Sequence, residues 1–168
     1  MSCIGVVEDE NGGVIAAIKG RNGMRFQSFL YWFSSAGDSV RLLELEDTRL
    51  TTLCKAPGGG AVVAGYDTQA GGGEEMVMAM RFDDNGELKW KVKLSDNTDD
   101  EIAWMEPTSD GGWILTGATY PETGAQKDLL LIKLKPDSET YAVKRTLIQP
   151  KMLAPKTNAA NNAYTANG

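Results

Sequence analysis

The sequence contains no histidine and only two cysteines, Cys3 and Cys54, among 168 residues. The lack of histidine excludes imidazole as a general base, as the partner of a serine or cysteine nucleophile, and as a metal ligand. No nucleophile with an adjacent base can be identified, so we expect a protein that is not an enzyme. The two thiols are predicted to be free and buried, with a disulfide as the alternative.

Long hydrophobic runs and an excess of positive charge are also missing. No apolar stretch approaches the ~18 residues of a membrane-spanning helix, and residues 1–7 lack the basic and apolar regions of a signal peptide. The net charge is −6, and an acidic protein of this kind repels a phosphate backbone. We therefore expect no membrane span and no nucleic-acid partner.

Glycine is plentiful, with 19 residues, and three Gly-Gly pairs form the strongest pattern in the sequence. The second glycines are Gly13, Gly60 and Gly112, and each is followed by a short apolar segment. The pairs recur with a period of about 50 residues, which is typical of propeller blades. The segments between turns are short and rich in β-branched and aromatic residues, which predicts strands. The chain is therefore predicted to be all-β.

Each repeat is predicted to form four antiparallel strands. The three repeats occupy about residues 2–46, 50–94 and 101–148, within a single repeat domain of residues 1–149. Residues 150–168 are rich in Ala and Asn and contain no fourth Gly-Gly pair. Such a composition cannot bury much apolar surface, so this segment is predicted to be a tail or linker.

The third strand of each repeat is predicted to be buried on both faces. Met76–Met80 and Leu129–Ile132 are apolar throughout, whereas a strand with one face in water alternates apolar and polar residues. The aromatic run Phe29–Phe33 places large side chains on both faces of its strand. These strands should therefore lie between neighbouring sheets.

The third repeat carries two segments of a recognisable pattern: residues 110–119 read Asp-Gly-Gly-Trp-Ile-Leu-Thr-Gly-Ala-Thr, and residues 128–134 read Asp-Leu-Leu-Leu-Ile-Lys-Leu. These segments resemble a family of bacterial β-propeller repeats. The family pattern is Asp-Gly-Gly-x-x-Leu-x-Gly-x-Thr, then Lys-Leu-Asp-x-x-Gly-x-x-x-Trp. The second repeat supplies the ending between Gly86 and Trp90, whereas the first has Asn11 in place of the leading Asp.

This resemblance implies three propeller-type blades of four strands over residues 2–148. It also implies a secreted or cell-surface scaffold of an extracellular or periplasmic location. Propellers typically have about 4–8 blades, so three blades leave two apolar sheet faces open. Two chains that share a six-blade ring would cover them, as would further blades of a longer polypeptide. A β-trefoil, which closes with three units, is the alternative fold.

Four residues are candidates for ligand binding. Tyr66 and Tyr120 follow the second strands of their repeats, where flat rings could stack on a sugar. Trp104 and Glu106 lie on a first strand, and Glu106 is the acid predicted to lie closest to a central channel. These residues would serve a lectin-like function that recognises a glycan.

An acidic cluster between the second and third repeats is the candidate metal site. Asp96, Asp99 and Asp100 could supply oxygen ligands for Ca²⁺, although the order of residues is not that of a known calcium loop. Apart from this Ca²⁺, no cofactor is expected. The favoured function is a non-catalytic scaffold that binds a protein partner or forms a homo-oligomer, with a dimer favoured. A lectin-like or Ca²⁺-assisted ligand-binding protein is the alternative.

Overall fold

A computed structural model of the chain describes residues 1–68, 75–95, 100–120 and 127–136, and the backbone of residues 144–148. In this part of the chain there is no helix that is long and apolar enough to cross a membrane. The described residues form twelve strands: β1 (Ser2–Glu8), β2 (Val14–Asn22), β3 (Arg25–Phe33), β4 (Ser39–Glu46), β5 (Thr48–Lys55), β6 (Ala61–Asp67), β7 (Met76–Phe82), β8 (Leu88–Lys93), β9 (Glu101–Pro107), β10 (Trp113–Thr119), β11 (Asp128–Leu134) and β12 (Lys144–Ile148).

The strands form three antiparallel sheets of four strands each. Sheet 1 has the order β1-β2-β3-β4, sheet 2 the order β5-β6-β7-β8, and sheet 3 the order β9-β10-β11-β12. The all-β prediction is confirmed. The β2–β3 hairpin extends to a two-residue turn, where Asn22 pairs with Arg25 and Gly23 has a positive φ of 63°. The predicted tail of residues 150–168 lies outside the described residues.

Sheet 2 packs between the other two sheets. On one side, Leu30 and Trp32 of sheet 1 are buried with Met78, Met80 and Phe82 of sheet 2. β1 also contacts β5, and β5 contacts β9, so the first strands of the three sheets are neighbours. The hydrophobic core is therefore made between sheets, where apolar side chains leave water on both partners.

The other side of sheet 2 covers sheet 3. Val62 and Ala64 of β6 share a buried cluster with Leu115, Leu130 and Ile132 of sheet 3. Every one of these side chains is inaccessible to solvent. Sheet 2 is thus the sheet with both faces covered, as the continuous apolar sequence of β7 predicts.

Close contact with the adjacent strand explains the second glycine of each Gly-Gly pair. A Cβ atom on Gly60 or Gly112 would lie 2.0 or 2.2 Å from the carbonyl oxygen of Phe82 or Leu134, the last residue of the adjacent strand. Gly13 has the same relation to the end of β3, at 2.6 Å. These distances are far shorter than a van der Waals contact, so glycine is required at the second position of each pair.

The prediction that β11 is buried on both faces is wrong. Leu130, Ile132 and Leu134 are buried against sheet 2, but Leu129 is 41% exposed and Leu131 is half-buried. The side chains of β11 therefore alternate between a covered and an open face. The reason is that no described residue packs over the far side of sheet 3.

Candidate functional site

Sheet 1 has an open face that carries a row of aromatic rings. Leu30 and Trp32 point towards sheet 2, so Phe29, Tyr31 and Phe33 lie on the opposite face, where they are half-buried. Successive ring centroids along this row are 6.5 and 6.0 Å apart. The prediction that Phe29–Phe33 is buried on both faces is therefore wrong for the three rings of this row.

Apolar side chains extend the open face across all four strands of sheet 1. Tyr31 pairs with Ala16 and Leu42, and Ala16 pairs with Val6, so these residues form one cross-strand row. Val6 is 58% exposed and Leu42 is 52% exposed. Adjacent large apolar groups exposed to water are uncommon on the surface of a monomer. We call this surface the sheet 1 face.

The strand register shows what the aromatic positions do in the other sheets. Phe33, Phe82 and Leu134 each pair with the first residue of the second strand of their sheet, so they are equivalent. Two residues earlier on each third strand, Tyr31 corresponds to Met80 and Ile132. Four residues earlier, Phe29 corresponds to Met78 and Leu130. All four of these equivalent residues are buried between sheets.

Sheet 3 has an open face of its own, which holds two of the predicted site residues. Thr116 pairs with both Trp104 and Leu131, so these three residues form a row on the side away from sheet 2. Trp104 is 59% exposed, and its Nε1 donates a 2.7 Å hydrogen bond to Oε1 of Glu106. Trp104 and Glu106 are thus brought together on what we call the sheet 3 face.

A cavity of about 770 Å³ lies between sheets 2 and 3, where β6 ends and β9 begins. Three of the predicted site residues line it: Tyr66, Tyr120 and Asp100. The charged residues around them are of both signs, since Arg49 and Glu101 are also in the wall. Residues that are distant in the sequence therefore share one cavity.

Tyr66 joins two sheets. Its hydroxyl oxygen accepts a 3.1 Å hydrogen bond from the amide of Ile102 in sheet 3, and burial raises the pKa of the phenol. The guanidinium of Arg49 lies 4.1 Å from the ring centroid and covers one side of the ring. Tyr120 is more accessible, at 38% exposed, and Lys127 lies 4.8 Å from its ring centroid. Tyr120 is therefore the ring of the two with more surface to offer a ligand.

One residue of the predicted calcium site can be placed. Asp100 is buried and accepts a short hydrogen bond from the hydroxyl of Ser95. Asp96 and Asp99 lie outside the described residues. Among the side chains that the structure does describe, no three His, Cys, Asp or Glu residues are grouped in a way that could hold a metal ion.

Asp110 lies in the turn between β9 and β10 of sheet 3. Its carboxylate accepts hydrogen bonds from Lys133 at 2.6 Å and from the amide of Gly112 at 3.2 Å. The bond from Lys133, followed by that from Thr108, lowers the pKa of this carboxyl group well below its usual range. The Asp of the Asp-Gly-Gly pattern therefore holds the turn and also connects it to β11.

Arg49 is a further residue of this region, and the sequence alone does not indicate its role. It lies in the wall of the cavity, contacts the ring of Tyr66, and forms an ion pair with Glu75. No local pattern marks it, because an isolated arginine at the start of a strand is common on protein surfaces. Its importance comes from contacts with side chains that are distant in sequence.

No family model matches the chain, and no curated protein matches it either. Among the described residues, the open sheet faces and the cavity between sheets 2 and 3 are the surfaces that another molecule could contact.

Proposed function

We propose that the chain is a non-catalytic, propeller-type interaction module whose sheet 1 face packs on the sheet 3 face of a second copy. The observation that carries this proposal is the register of Phe29, Tyr31 and Phe33 in sheet 1. Their equivalents in sheets 2 and 3 are buried between sheets, whereas these three rings border water. A second copy would give them the same environment.

The sheet topology supports blades over a trefoil. Each repeat keeps its strand pairs within one four-stranded sheet, in which consecutive strands are neighbours. The sheets stack face to face, and their first strands lie side by side. Four-stranded sheets arranged around a central axis define a propeller. A trefoil, in contrast, joins strands of different units in a common barrel.

The two open faces are complementary because each is equivalent to one of the two covered faces of sheet 2. The sheet 1 face is equivalent to the face of sheet 2 that contacts sheet 1, through Met78 and Met80. The sheet 3 face is equivalent to the face of sheet 2 that contacts sheet 3, through Val62 and Ala64. Packing of sheet 1 on sheet 3 of another copy would therefore repeat a contact that each chain already makes twice.

Two copies of the chain would cover the sheet 1 face and the sheet 3 face of both chains. Each chain would offer its sheet 1 face to the partner and receive the partner's on its sheet 3 face, which closes a ring of six sheets around a two-fold axis. Six lies within the usual range of about 4–8 blades.

Variants of the two faces test the proposal. Tyr31→Lys places a charge in the centre of the sheet 1 face, and Leu131→Lys does the same on the sheet 3 face. A buried side chain of this size contributes about 1.5–3 kcal/mol, and a buried unpaired charge costs more. We expect each variant alone to be monomeric. A mixture of equal amounts should form a two-chain species, since it retains one intact contact.

Sedimentation velocity of each variant and of the mixture gives the answer. A mixture that contains only monomers would contradict the pairing of sheet 1 with sheet 3. Another outcome would also overturn it: a monomeric Tyr31→Lys variant beside a dimeric Leu131→Lys variant. That result indicates that two sheet 1 faces pack on each other. Lys89→Glu, an exposed change at the outer strand of sheet 2, is the control and should leave the mass unchanged.

A lectin-like function is the second candidate, and the cavity between sheets 2 and 3 favours it. The ring of Tyr120 borders a space of about 770 Å³, within the size range of small-molecule sites. A glycan array probed with and without a chelator tests this candidate and its dependence on Ca²⁺. Binding that is lost in Tyr120→Ala would support it, and an array without signal would remove it.

A further inference from the structure

A second cavity, of about 660 Å³, lies between sheets 1 and 2 at the same end of the molecule. Its wall contains Lys19, Arg21 and Arg49 together with Phe26. No acidic side chain is among the described residues that line it. Arg49 is paired with Glu75, which lies outside this lining, whereas Lys19 and Arg21 add two further positive charges. The lining therefore has a net positive charge in a protein of net charge −6.

The guanidinium groups are held in place by aromatic rings. Arg21 lies 4.3 Å from the ring centroid of Phe26, and Arg49 lies 5.2 Å from the same centroid. Arg49 also lies 4.1 Å from the ring centroid of Tyr66. Cation–π contacts orient a guanidinium without neutralising its charge or using its N–H donors. Both side chains therefore remain able to donate hydrogen bonds to a ligand.

Arg49 retains an unused donor. One of its terminal nitrogens forms the ion pair with Glu75, on the side of the other cavity. Its Nε is buried and has no hydrogen-bond partner among the described residues. A buried donor without a partner is costly, so Arg49 would gain from an acceptor oxygen that reached this atom.

Comparison with the neighbouring cavity shows that the fold does not require this charge. The register makes Lys19 in sheet 1 equivalent to Tyr66 in sheet 2, and Arg49 equivalent to Glu101 in sheet 3. The corresponding space between sheets 2 and 3 is lined by acids as well as by Arg49. Equivalent positions of two repeats therefore carry opposite charges. The sheets pack with either charge, so packing does not require the positive charge of this cavity.

We propose that the cavity between sheets 1 and 2 binds the phosphate or sulfate group of a small molecule. A guanidinium donates two parallel hydrogen bonds to such an oxyanion, and Lys19 adds a mobile ammonium. The volume exceeds that of a bare ion, so the remainder of the ligand would contact Phe26. This function is separate from association of the chains, since the cavity lies between two sheets of one chain.

Isothermal titration calorimetry with four probes tests the proposal: inorganic phosphate, inorganic sulfate, glucose 6-phosphate and glucose 6-sulfate. Titrations at constant ionic strength, with chloride as the reference anion, separate specific binding from screening. We expect saturable binding of at least one sugar ester, more tightly than of the corresponding free ion. Preference for phosphate or for sulfate then identifies the source of the oxyanion.

Matched variants show whether the cavity is the site. Lys19→Gln and Arg21→Gln each remove one charge, and each should weaken binding about tenfold or more, because a charge-assisted hydrogen bond is lost. Lys55→Gln removes the same charge from an exposed position at the opposite end of β5 and should have no effect. An equal loss in Lys55→Gln, or no saturable binding of any probe, would overturn the proposal.

The same titrations on the Tyr31→Lys variant separate this inference from the proposed association. That substitution lies on the sheet 1 face and contacts neither cavity. Binding should therefore be unchanged whether or not the variant forms dimers. Loss of ester binding in Tyr31→Lys would contradict the assignment of the site to one chain.

Discussion

The indole rings of Trp90 and Trp113 meet edge to face between sheets 2 and 3, with centroids 5.9 Å apart and planes at 66°. Trp113 directly follows a Gly-Gly pair, and Trp90 ends the Gly-x-x-x-Trp segment of the preceding repeat. The residue after the Gly-Gly pair of one repeat thus contacts the final Trp of the preceding repeat across neighbouring sheets. Such a pair adds about 0.5–1.5 kcal/mol to the burial of its two rings.

Replacement of Trp90 should destabilise the fold itself. Trp90→Ala leaves a cavity beside Trp113, and we expect the free energy of unfolding to fall by about 3–5 kcal/mol. Trp104→Ala is the control, because Trp104 lies on the open face of sheet 3 and should change the value by less than about 0.5 kcal/mol. Urea denaturation in the Tyr31→Lys background measures both without a contribution from association. Equal losses would contradict this account of Trp90.

Gly117 should not tolerate a side chain. A Cβ atom at this position would lie 1.7 Å from the carbonyl oxygen of Glu101, at an irregularity in the pairing of β9 with β10. We expect Gly117→Ala to lower stability by about 1–3 kcal/mol, since the two strands must separate. Gly5→Ala is the control, because its nearest contact would be an ordinary 3.4 Å from Leu53. Thermal denaturation followed by circular dichroism compares the two, and equal melting temperatures would refute the steric argument.

Tyr66→Phe tests the link between sheets 2 and 3. The substitution removes the acceptor of the Ile102 amide and leaves that buried donor without its partner. We expect a loss of about 1–3 kcal/mol in the free energy of unfolding. Tyr120→Phe removes a hydroxyl from a more exposed ring and should cost less than about 0.5 kcal/mol. Chemical denaturation of the two variants decides the point, and a neutral Tyr66→Phe would show that water replaces the hydroxyl.

The two cysteines should differ strongly in reactivity. Both are free, but Cys54 is buried and Cys3 is exposed, so the prediction of two buried thiols is wrong for Cys3. Burial, with a smaller contribution from the charge of Glu106, raises the pKa of Cys54 from 9.0 to about 12. A thiol reagent at pH 8 should modify Cys3 rapidly and Cys54 only after unfolding. Rapid modification of both in the folded protein would contradict the packing around Cys54.

The raised pKa of Cys54 also predicts a dependence of stability on pH. The folded state keeps its proton at pH values where the unfolded state has lost it, so this contribution is complete below pH 9 and is lost as the pH rises towards 12. Stability should therefore fall over that interval. Cys54→Ala should reduce the slope, and an unchanged slope between pH 9 and 11 would show that other groups cause it.

The sequence predicted the elements of this fold well because their causes are local. The second glycine of each pair, such as Gly60, is required by a carbonyl of the adjacent strand, and the same contact recurs in every repeat. Trp104 and Glu106 could be paired from sequence because residues two apart share one face of a strand. The strand bounds follow from the same alternation and from the turns that interrupt it.

Features that depend on distant contacts could not be predicted in this way. An apolar run such as Phe29–Phe33 has the same pattern whether a neighbouring sheet covers it or not. The bond from Ile102 to Tyr66 crosses between sheets, so no spacing in the sequence indicates it. The cluster around Phe26 likewise joins Arg21 and Arg49 from different sheets.

The mass of the wild-type chain in solution is the most direct test of the central claim, that sheet 1 of one copy packs on sheet 3 of another. Light scattering coupled to size-exclusion chromatography, at loading concentrations from about 1 to 100 μM, covers the range in which such contacts form. We predict a species of two chains, and a species of one chain for Tyr31→Lys. A folded wild-type protein that stays a single chain at every concentration would contradict the account.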